Sequence, residues 1–193
     1  MCIIGHLGDD RPFYDGQTVK TRALVNALRC SGQEFKIYYA DTYFCKTNII
    51  KFFWTFCKGI FMCDRIILCV SKGGRRVFFP IGYILARAFH KKIYHFAIGG
   101  RLADEVQSRN RVKKQVLAFQ KNWVESHALA DQLSVLGVNN AEYLPNFKDL
   151  PVIHPEELPR HIHKPLRCVF FSRISEQKGA SDAMEAVTEL NHK

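Results

Sequence analysis

Short apolar runs alternate with longer amphipathic segments along the first 150 residues. The apolar runs have the composition of buried strands and occupy residues 2–8, 35–41, 65–70, 91–100, 122–126 and 141–146. The segments between them carry apolar residues at helical spacing and occupy residues 15–32, 48–63, 78–90, 102–121 and 127–137. Strands separated by such helices predict right-handed crossovers and a mostly parallel sheet covered on both faces. We therefore predict an α/β, Rossmann-like fold.

The alternation stops after residue 146. Residues 147–165 hold four prolines and scattered charges, which is typical of a linker. Residues 166–174 then start a new strand, and a helix follows it. We predict an N-terminal Rossmann-like domain over residues 1–150, a linker over 151–165 and the start of a second domain over 166–193.

The net charge of the chain limits the classes of partner that it is expected to bind. Lys and Arg number 28 against 18 Asp and Glu, a net charge of +10, which favours nucleic acid, anionic lipid or nucleotide phosphates. A nucleic-acid binder is expected to show a recognisable reading motif or a basic helix. The sequence has neither, so we expect no nucleic-acid partner.

The cysteines and the apolar runs indicate the cellular compartment of the protein. The seven cysteines show no zinc-ligand spacing, which favours reduced thiols in the cytosol. The N-terminus turns polar at Asp9, unlike a signal peptide, and no run reaches the roughly 20 apolar residues of a spanning helix. We expect a cytoplasmic protein with no metal and no cofactor, and attachment to the inner face of the membrane stays open.

The first loop and helix form a candidate anion site. Asp15 can cap the helix, Gly16 allows close backbone approach, and Thr18 lies in the first turn. A helix N-terminus attracts anions, and in open α/β sheets ligands collect at the carboxyl ends of strands. The alternative is an ordinary capped surface helix.

The segment 48–63 is mostly apolar or aromatic, with its lysines on one narrow stripe. Such a helix is either buried on most sides or lies in a membrane interface. Residues 71–76 and 90–92 add cationic loops that could meet anionic headgroups. The candidate membrane contacts are Lys51, Phe52, Phe53, Trp54, Lys58, Arg75 and Arg76. The alternative is a core helix with snorkelling lysines.

Three further groups carry weaker signals. Gly99, Gly100 and Arg101 end a strand, where the glycines either admit a ligand or simply turn the chain. His95 lies inside that strand and is predicted to be a packed core residue. His161 and His163 have no third ligand at metal spacing, so we expect a solvated loop.

Arg173 and Lys178 lie five residues apart across a predicted strand-to-helix turn. A guanidinium and an ammonium there can converge on one diphosphate, with the helix dipole adding to the attraction. Taken alone, basic residues after a strand are common.

The order of these features resembles the family 4 retaining glycosyltransferases, also called group 1, which have two facing Rossmann-like domains in the GT-B fold. DGQTVKTRALVNALRCSGQEFKIYYAD is similar to the family's first glycine loop, helix and following strand. VESHALADQLSVLGVNNAEYLPN is similar to its segment ending in Pro-Asn, and FFSRISEQKGASDAMEAV to the start of its nucleotide-sugar domain. GQTVKT and the IGG strand resemble bacterial enzymes that build surface polysaccharide.

The chain departs from the family in three places. Ile98, Gly99 and Gly100 stand where a histidine often ends a strand, and Phe147 stands where a glycine often follows Pro-Asn. The family's two donor-binding glutamates belong to a part of the second domain that lies beyond this chain. We therefore expect an acceptor-side half with the start of the donor-side half, inactive alone.

The resemblance implies transfer of a sugar from a nucleotide-diphosphate sugar to a glycan or lipid-linked acceptor. Arg173, Lys178 and Gly16 would bind the donor diphosphate. Residues of the acceptor-side cleft would be Asp15, Thr18, Gly99, Gly100 and Arg101. The alternative is a non-catalytic module that binds acceptor or membrane, or one half of a split enzyme paired with a separate donor-domain chain.

Overall fold

The computed structural model describes residues 1–9, 11–12, 15–32, 36–147, 153–157, 168–172, 174 and 176–191. The strands are β1 (Cys2–Gly5), β2 (Tyr38–Asp41), β3 (Arg65–Cys69), β4 (Lys92–Phe96), β5 (Lys121–Val124) and β6 (Ala141–Tyr143). The α-helices are α1 (Gly16–Cys30), α2 (Phe44–Thr47), α3 (Ile49–Met62), α4 (Lys72–Ala88), α5 (Leu102–Ser108), α6 (Asn110–Ala118), α7 (His127–Val135) and α8 (Ala180–Asn191).

The six strands form one sheet in the order β2-β1-β3-β4-β5-β6. Every pair is parallel, and Ile3 of β1 is in register with Tyr39 on one side and Ile67 on the other. A parallel sheet with helical crossovers confirms the predicted α/β, Rossmann-like fold.

The two faces of the sheet carry separate hydrophobic cores. Alternate strand residues point to opposite faces, so Ile66 and Leu68 of β3 join the core under α3 to α7, whereas Ile67 joins the core under α1. On this second face α1 is the only helix among the described residues of the first unit that contributes buried residues. Tyr94 and Trp123 stack there with ring centroids 5.2 Å apart and stay partly exposed.

Helix α1 begins and ends as its sequence predicts. Asp15 caps it by accepting hydrogen bonds from the backbone N–H groups of Gln17 and Thr18. Ser31 follows the last turn, and Gly32 then takes a φ of +70°, a left-handed conformation that glycine adopts without steric cost.

Helix α4 differs from its prediction. It starts at Lys72 rather than near residue 78, so the segment predicted as a cationic loop forms the first helical turns. Gly73, Gly74 and Pro80 all oppose a helix by propensity. Burial of Phe78, Phe79 and Leu85 in the core outweighs that cost, as tertiary packing commonly does.

The predicted helix 102–121 is two helices. Arg109 has an extended backbone, with φ −144° and ψ 100°, between α5 and α6. Just before it, the Ser108 hydroxyl donates to the carbonyl of Asp104 at 2.7 Å. The bend lets Val106 of α5 and Val116 of α6 both enter the core.

The chain divides into two compact units, Met1–Asp149 and Leu150–Lys193. In the second unit the described residues form a 3₁₀ turn at Pro155–Glu157, another at Glu176–Lys178, and helix α8. A strand was predicted over 166–174, but residues 168–172 have no strand structure. Residues 166, 167 and 173 lie outside the described part of the chain.

Candidate functional site

The carboxyl edge of the sheet has a topological switch point between β1 and β3. From β1 the chain crosses to β2 on one side, and from β2 it returns to β3 on the other side. The loops that follow β1 and β3 therefore lead away from each other, and a crevice opens between them. Ligands of open α/β sheets bind in such crevices.

Asp15, Thr18 and His6 form a hydrogen-bonded cluster at this crevice. The Thr18 hydroxyl donates to Asp15 Oδ2 at 2.6 Å, and His6 Nδ1 lies 2.7 Å from the same hydroxyl oxygen. Because the hydroxyl proton goes to Asp15, His6 must donate through Nδ1. Thr18 is fully buried, and its hydroxyl is taken up by the hydrogen bond to Asp15. The two side chains therefore fix the shape of the loop before α1.

The hydrogen bonds also hold Asp15 in its charged form. Partial burial raises the pKa of this carboxyl, but the hydroxyl and backbone N–H of Thr18, the N–H of Gln17 and the nearby His6 outweigh it. The net effect lowers the pKa below its usual range, as expected for a carboxylate that accepts several hydrogen bonds.

Gly16 is the open position of the cluster. It is exposed, and a Cβ added to it would meet no atom within 4 Å. The next residue, Gln17, reaches across the switch point and donates its side-chain amide to the carbonyl of Cys69 at 3.2 Å. The first turn of α1 is thus fixed to β3, while the backbone at Gly16 stays accessible.

Asp41, at the end of β2, organises the loop after β1. Its carboxylate accepts hydrogen bonds from the backbone N–H groups of Leu7, Asp9 and Tyr43 at 2.8 to 2.9 Å. Sequence analysis missed this role. An aspartate directly after an apolar run was the available signal, but its partners come from loops that only the fold brings together.

Lys20 connects α1 to the end of β5. Its ammonium lies 2.6 Å from Glu125 Oε2, 3.3 Å from the carbonyl oxygen of Ala97 and 5.2 Å from the centre of the Phe96 ring. These contacts place a paired charge on the face that α1 covers, close to the carboxyl ends of β4 and β5. The pairing could not be read from the sequence, because Lys20 and Glu125 are 105 positions apart.

Gly99, Gly100 and Arg101 form an exposed turn between β4 and α5. Gly99 has a φ of +86°, and a Cβ added to either glycine would meet no atom within 4 Å. Arg101 is exposed at the start of α5. The positive φ explains why a glycine stands at position 99 in the turn. The space next to both glycines is open.

The predicted diphosphate pair is only partly placed. Arg173 lies outside the described residues, and Lys178 is exposed at the end of the 3₁₀ turn Glu176–Lys178. Gly179 follows with a φ of +70°. Lys178 and Gly16 belong to different compact units, so the diphosphate site that includes both stays a prediction.

The predicted membrane surface needs two corrections. Phe52 is buried against Phe56 and Phe78, and Arg75 is buried with 3% of its surface exposed. Neither residue can contact a bilayer. The other five predicted contacts, Lys51, Phe53, Trp54, Lys58 and Arg76, are exposed.

Arg75 instead forms a buried ion pair. Its Nε and Nη2 donate to the two carboxylate oxygens of Glu105 at 3.0 and 2.8 Å, and Nη1 donates to the carbonyl of Ile98 at 3.4 Å. This bidentate geometry ties α4 to α5 and to the end of β4.

A cavity of about 480 Å³ lies between α1 and α3 beside β2. Its walls carry both signs of charge. Arg22 donates to the carbonyls of Leu7 and Arg11, and Lys51 lies 3.6 Å from Asp9. Much of the positive charge in this cavity is therefore already partnered.

The described residues were also compared with the patterns of metal ligands and reactive thiols. None of their His, Cys, Asp and Glu side chains group in threes that could hold a metal ion, and His161 and His163 lie outside the described residues. All seven cysteines are free thiols. Burial raises the pKa of Cys69, beside the switch point, to about 12, so it stays a neutral thiol at ordinary pH.

His95 is confirmed as a core residue. It is fully buried and meets the Phe79 ring edge-on at 4.7 Å between centroids. Burial lowers its pKa to about 3, and the nearby Arg75 adds to this effect. An imidazole held neutral inside the core is not placed to act as a base in the crevice.

Comparison with known proteins gives no relative. No protein family, no curated protein and no solved structure matches this chain. Its function therefore has to be inferred from its own residues.

Proposed function

We propose that this chain provides the acceptor-side domain of a retaining glycosyltransferase of the GT-B fold. The reaction would move a sugar from a nucleotide-diphosphate sugar to a glycan or lipid-linked acceptor in surface polysaccharide synthesis. The observation that carries the proposal is the open backbone of Gly16 in the first turn of α1, beside the switch point of a parallel sheet. The likeness of DGQTVKT to the glycine loop of that family supports it.

The chemistry assigns a task to each group. When the anomeric carbon–oxygen bond breaks, the leaving diphosphate gains negative charge. Its oxygen can take the proton that the acceptor hydroxyl gives up as the new glycosidic bond forms. Asp15 accepts from the N–H groups of Gln17 and Thr18, so the exposed backbone N–H of Gly16 would be the group of α1 that stabilises this charge, and the resemblance supplies Arg173 and Lys178 as cationic partners. Gly99, Gly100 and Arg101 would border the acceptor.

Nucleotide binding by the whole 193-residue chain tests this proposal. Ligand-observed NMR with UDP, GDP and their sugar conjugates should detect binding. Gly16→Ala should weaken it slightly and Gly16→Trp strongly, because a side chain would occupy the space next to the backbone that the ligand needs. A Cβ at Gly16 meets no atom within 4 Å, so the alanine variant should fold normally. Arg173→Ala combined with Lys178→Ala should also abolish it.

The matched control is the melting temperature of both Gly16 variants, which should stay close to wild type. No binding to any nucleotide, or equal binding by wild type and Gly16→Trp, would contradict the role of Gly16.

A second role is favoured by helix α3, which exposes an apolar face. Ile50, Phe53, Trp54 and Phe61 share one side of the helix at 3.6 residues per turn, and all are exposed, Trp54 by 71%. The opposite side holds the two buried residues of the helix, Phe52 and Gly59.

The charges around α3 complement an anionic surface. Lys51 and Lys58 lie along one edge of its apolar face, and Asp64 is the single acidic residue among residues 42–103. Aromatic side chains beside lysines suit the interface of an anionic bilayer. In the part of the chain that the structure describes, every helix is too short or too polar to cross a bilayer. We therefore propose peripheral binding through α3 to the cytoplasmic face of the membrane, where a lipid-linked acceptor would be reached.

A further inference from the structure

A second cavity, of about 340 Å³, lies between α4 and α6. These helices pack on the face of the sheet opposite to α1. The volume falls in the range typical of sites for small molecules. Part of its wall is apolar, from Phe79, Pro80 and Val112.

The remaining wall is strongly cationic. Arg75 and Glu105 line the cavity but neutralise each other in their bidentate pair. Arg76, Arg109 and Arg111 also line it, and none of the three has an acidic partner among the described residues. The cavity therefore carries about three uncompensated positive charges, all of them guanidinium groups that suit phosphate oxygens.

Gln115 adds a buried polar group without a partner. It lies in the wall with 6% of its surface exposed, and its carboxamide makes no hydrogen bond to the described part of the chain. A carboxamide that makes no protein hydrogen bond and lines a cavity offers one acceptor and two donors to a bound molecule.

The start of α6 points to the same chemistry. No side chain caps it, because Arg109 at the N-cap position makes no capping hydrogen bond. The Val112 N–H donates to the carbonyl of Arg109, so the N–H groups of Asn110 and Arg111 are the ones without a partner in the described part of the chain. A helix N-terminus favours an anion.

We propose that this cavity binds a small phosphate-bearing molecule. The three guanidinium groups and the start of α6 hold its phosphate oxygens, Gln115 hydrogen-bonds to it, and the apolar wall contacts the rest of the molecule. This site is independent of the glycosyltransferase proposal and lies on helices that Gly16 does not touch.

Titration calorimetry of the full chain with pyrophosphate and with inorganic phosphate tests the site. Saturable binding of one equivalent is expected. Arg109→Gln with Arg111→Gln should weaken it by about 10-fold to 100-fold, the range for losing charge-assisted hydrogen bonds. Gln115→Leu should weaken it without lowering the melting temperature. The matched control is Lys114→Gln, which removes a charge from an exposed residue of the same helix that does not line the cavity.

Three results would overturn the proposal. The first is no saturable binding of either anion. The second is equal weakening by Lys114→Gln, which would indicate general attraction to a basic surface. The third is binding to phosphatidic acid vesicles without binding to soluble phosphate or pyrophosphate, which would assign these arginines to a lipid surface instead.

Discussion

The ammonium of Lys20 on α1 lies 2.6 Å from Glu125 Oε2, at the residue that follows β5. The pair is largely enclosed, with 14% of the Lys20 side chain and 27% of the Glu125 side chain exposed. Glu125 also accepts from the Asn146 amide at 3.4 Å. One carboxylate thus links the first helix, the fifth strand and the chain after β6.

Lys20→Met should lower the free energy of unfolding by about 1–3 kcal/mol, between typical values for exposed and buried ion pairs. Glu125→Gln should cost a similar amount, because each single change leaves the other charge partly enclosed. The double variant should lose less than the sum of the two. Urea unfolding of all four proteins measures this coupling, and strictly additive losses would show that the pair contributes no net interaction.

Gly59 and Gly73 should respond in opposite ways to alanine. A Cβ at Gly59 would overlap the Sγ of Cys2, where α3 packs closely on β1, whereas a Cβ at Gly73 in the first turn of α4 meets nothing within 4 Å. Gly59→Ala should destabilise the protein by about 1–3 kcal/mol through overpacking. Gly73→Ala should stabilise it by up to about 1 kcal/mol through helix propensity. Thermal melts of the pair check this, and stabilisation by both changes would mean that α3 can shift away from β1.

Sequence patterns predicted the six strands of the sheet and the caps of α1 because these depend on residues close together in the sequence. The continuous apolar run of β3 and the Asp15 cap are set by residues a few positions apart. The start of α4 was missed because local propensity at Gly73 and Pro80 opposes the outcome that packing imposes. The pairs of Arg75 with Glu105 and of Lys20 with Glu125 were missed for a different reason. They join residues 30 and 105 positions apart, so only the tertiary fold identifies the partners.

His95 should make stability depend on pH. Burial is the main cause that lowers its pKa to about 3 from an ordinary 6.5. Arg75 adds to the effect, and the Asn122 side chain opposes it. Between these values the unfolded chain binds a proton that the folded chain does not, so stability falls as pH falls from about 6.5 toward 3. The slope from this group approaches 1.4 kcal/mol per pH unit, about one proton.

His95→Gln removes this group from the titration. As pH drops from 7.5 to 5, the wild type should therefore lose more unfolding free energy than the variant. Urea melts of both proteins at pH 7.5 and at pH 5 measure this difference. The same melts on His127→Gln, at an exposed histidine, provide the matched control. A pH-independent difference for His95→Gln would mean that the imidazole binds a proton equally well in the folded and the unfolded chain.

The exposed face of α3 should govern binding to anionic vesicles. Flotation of the full chain with phosphatidylglycerol vesicles should recover bound protein, and neutral phosphatidylcholine vesicles should recover little. Phe53→Ser with Trp54→Ser should cut the bound fraction at least about tenfold, because each large side chain contributes roughly 1.5–3 kcal/mol when it leaves water. Lys51→Gln with Lys58→Gln should weaken binding by about 1 kcal/mol per lysine and make it less sensitive to salt.

Val135→Ser changes an exposed apolar residue on α7 and should leave binding intact. If the Phe53 and Trp54 variant floats as well as wild type, the apolar face of α3 does not enter the bilayer, and basic residues elsewhere on the surface must account for any attachment.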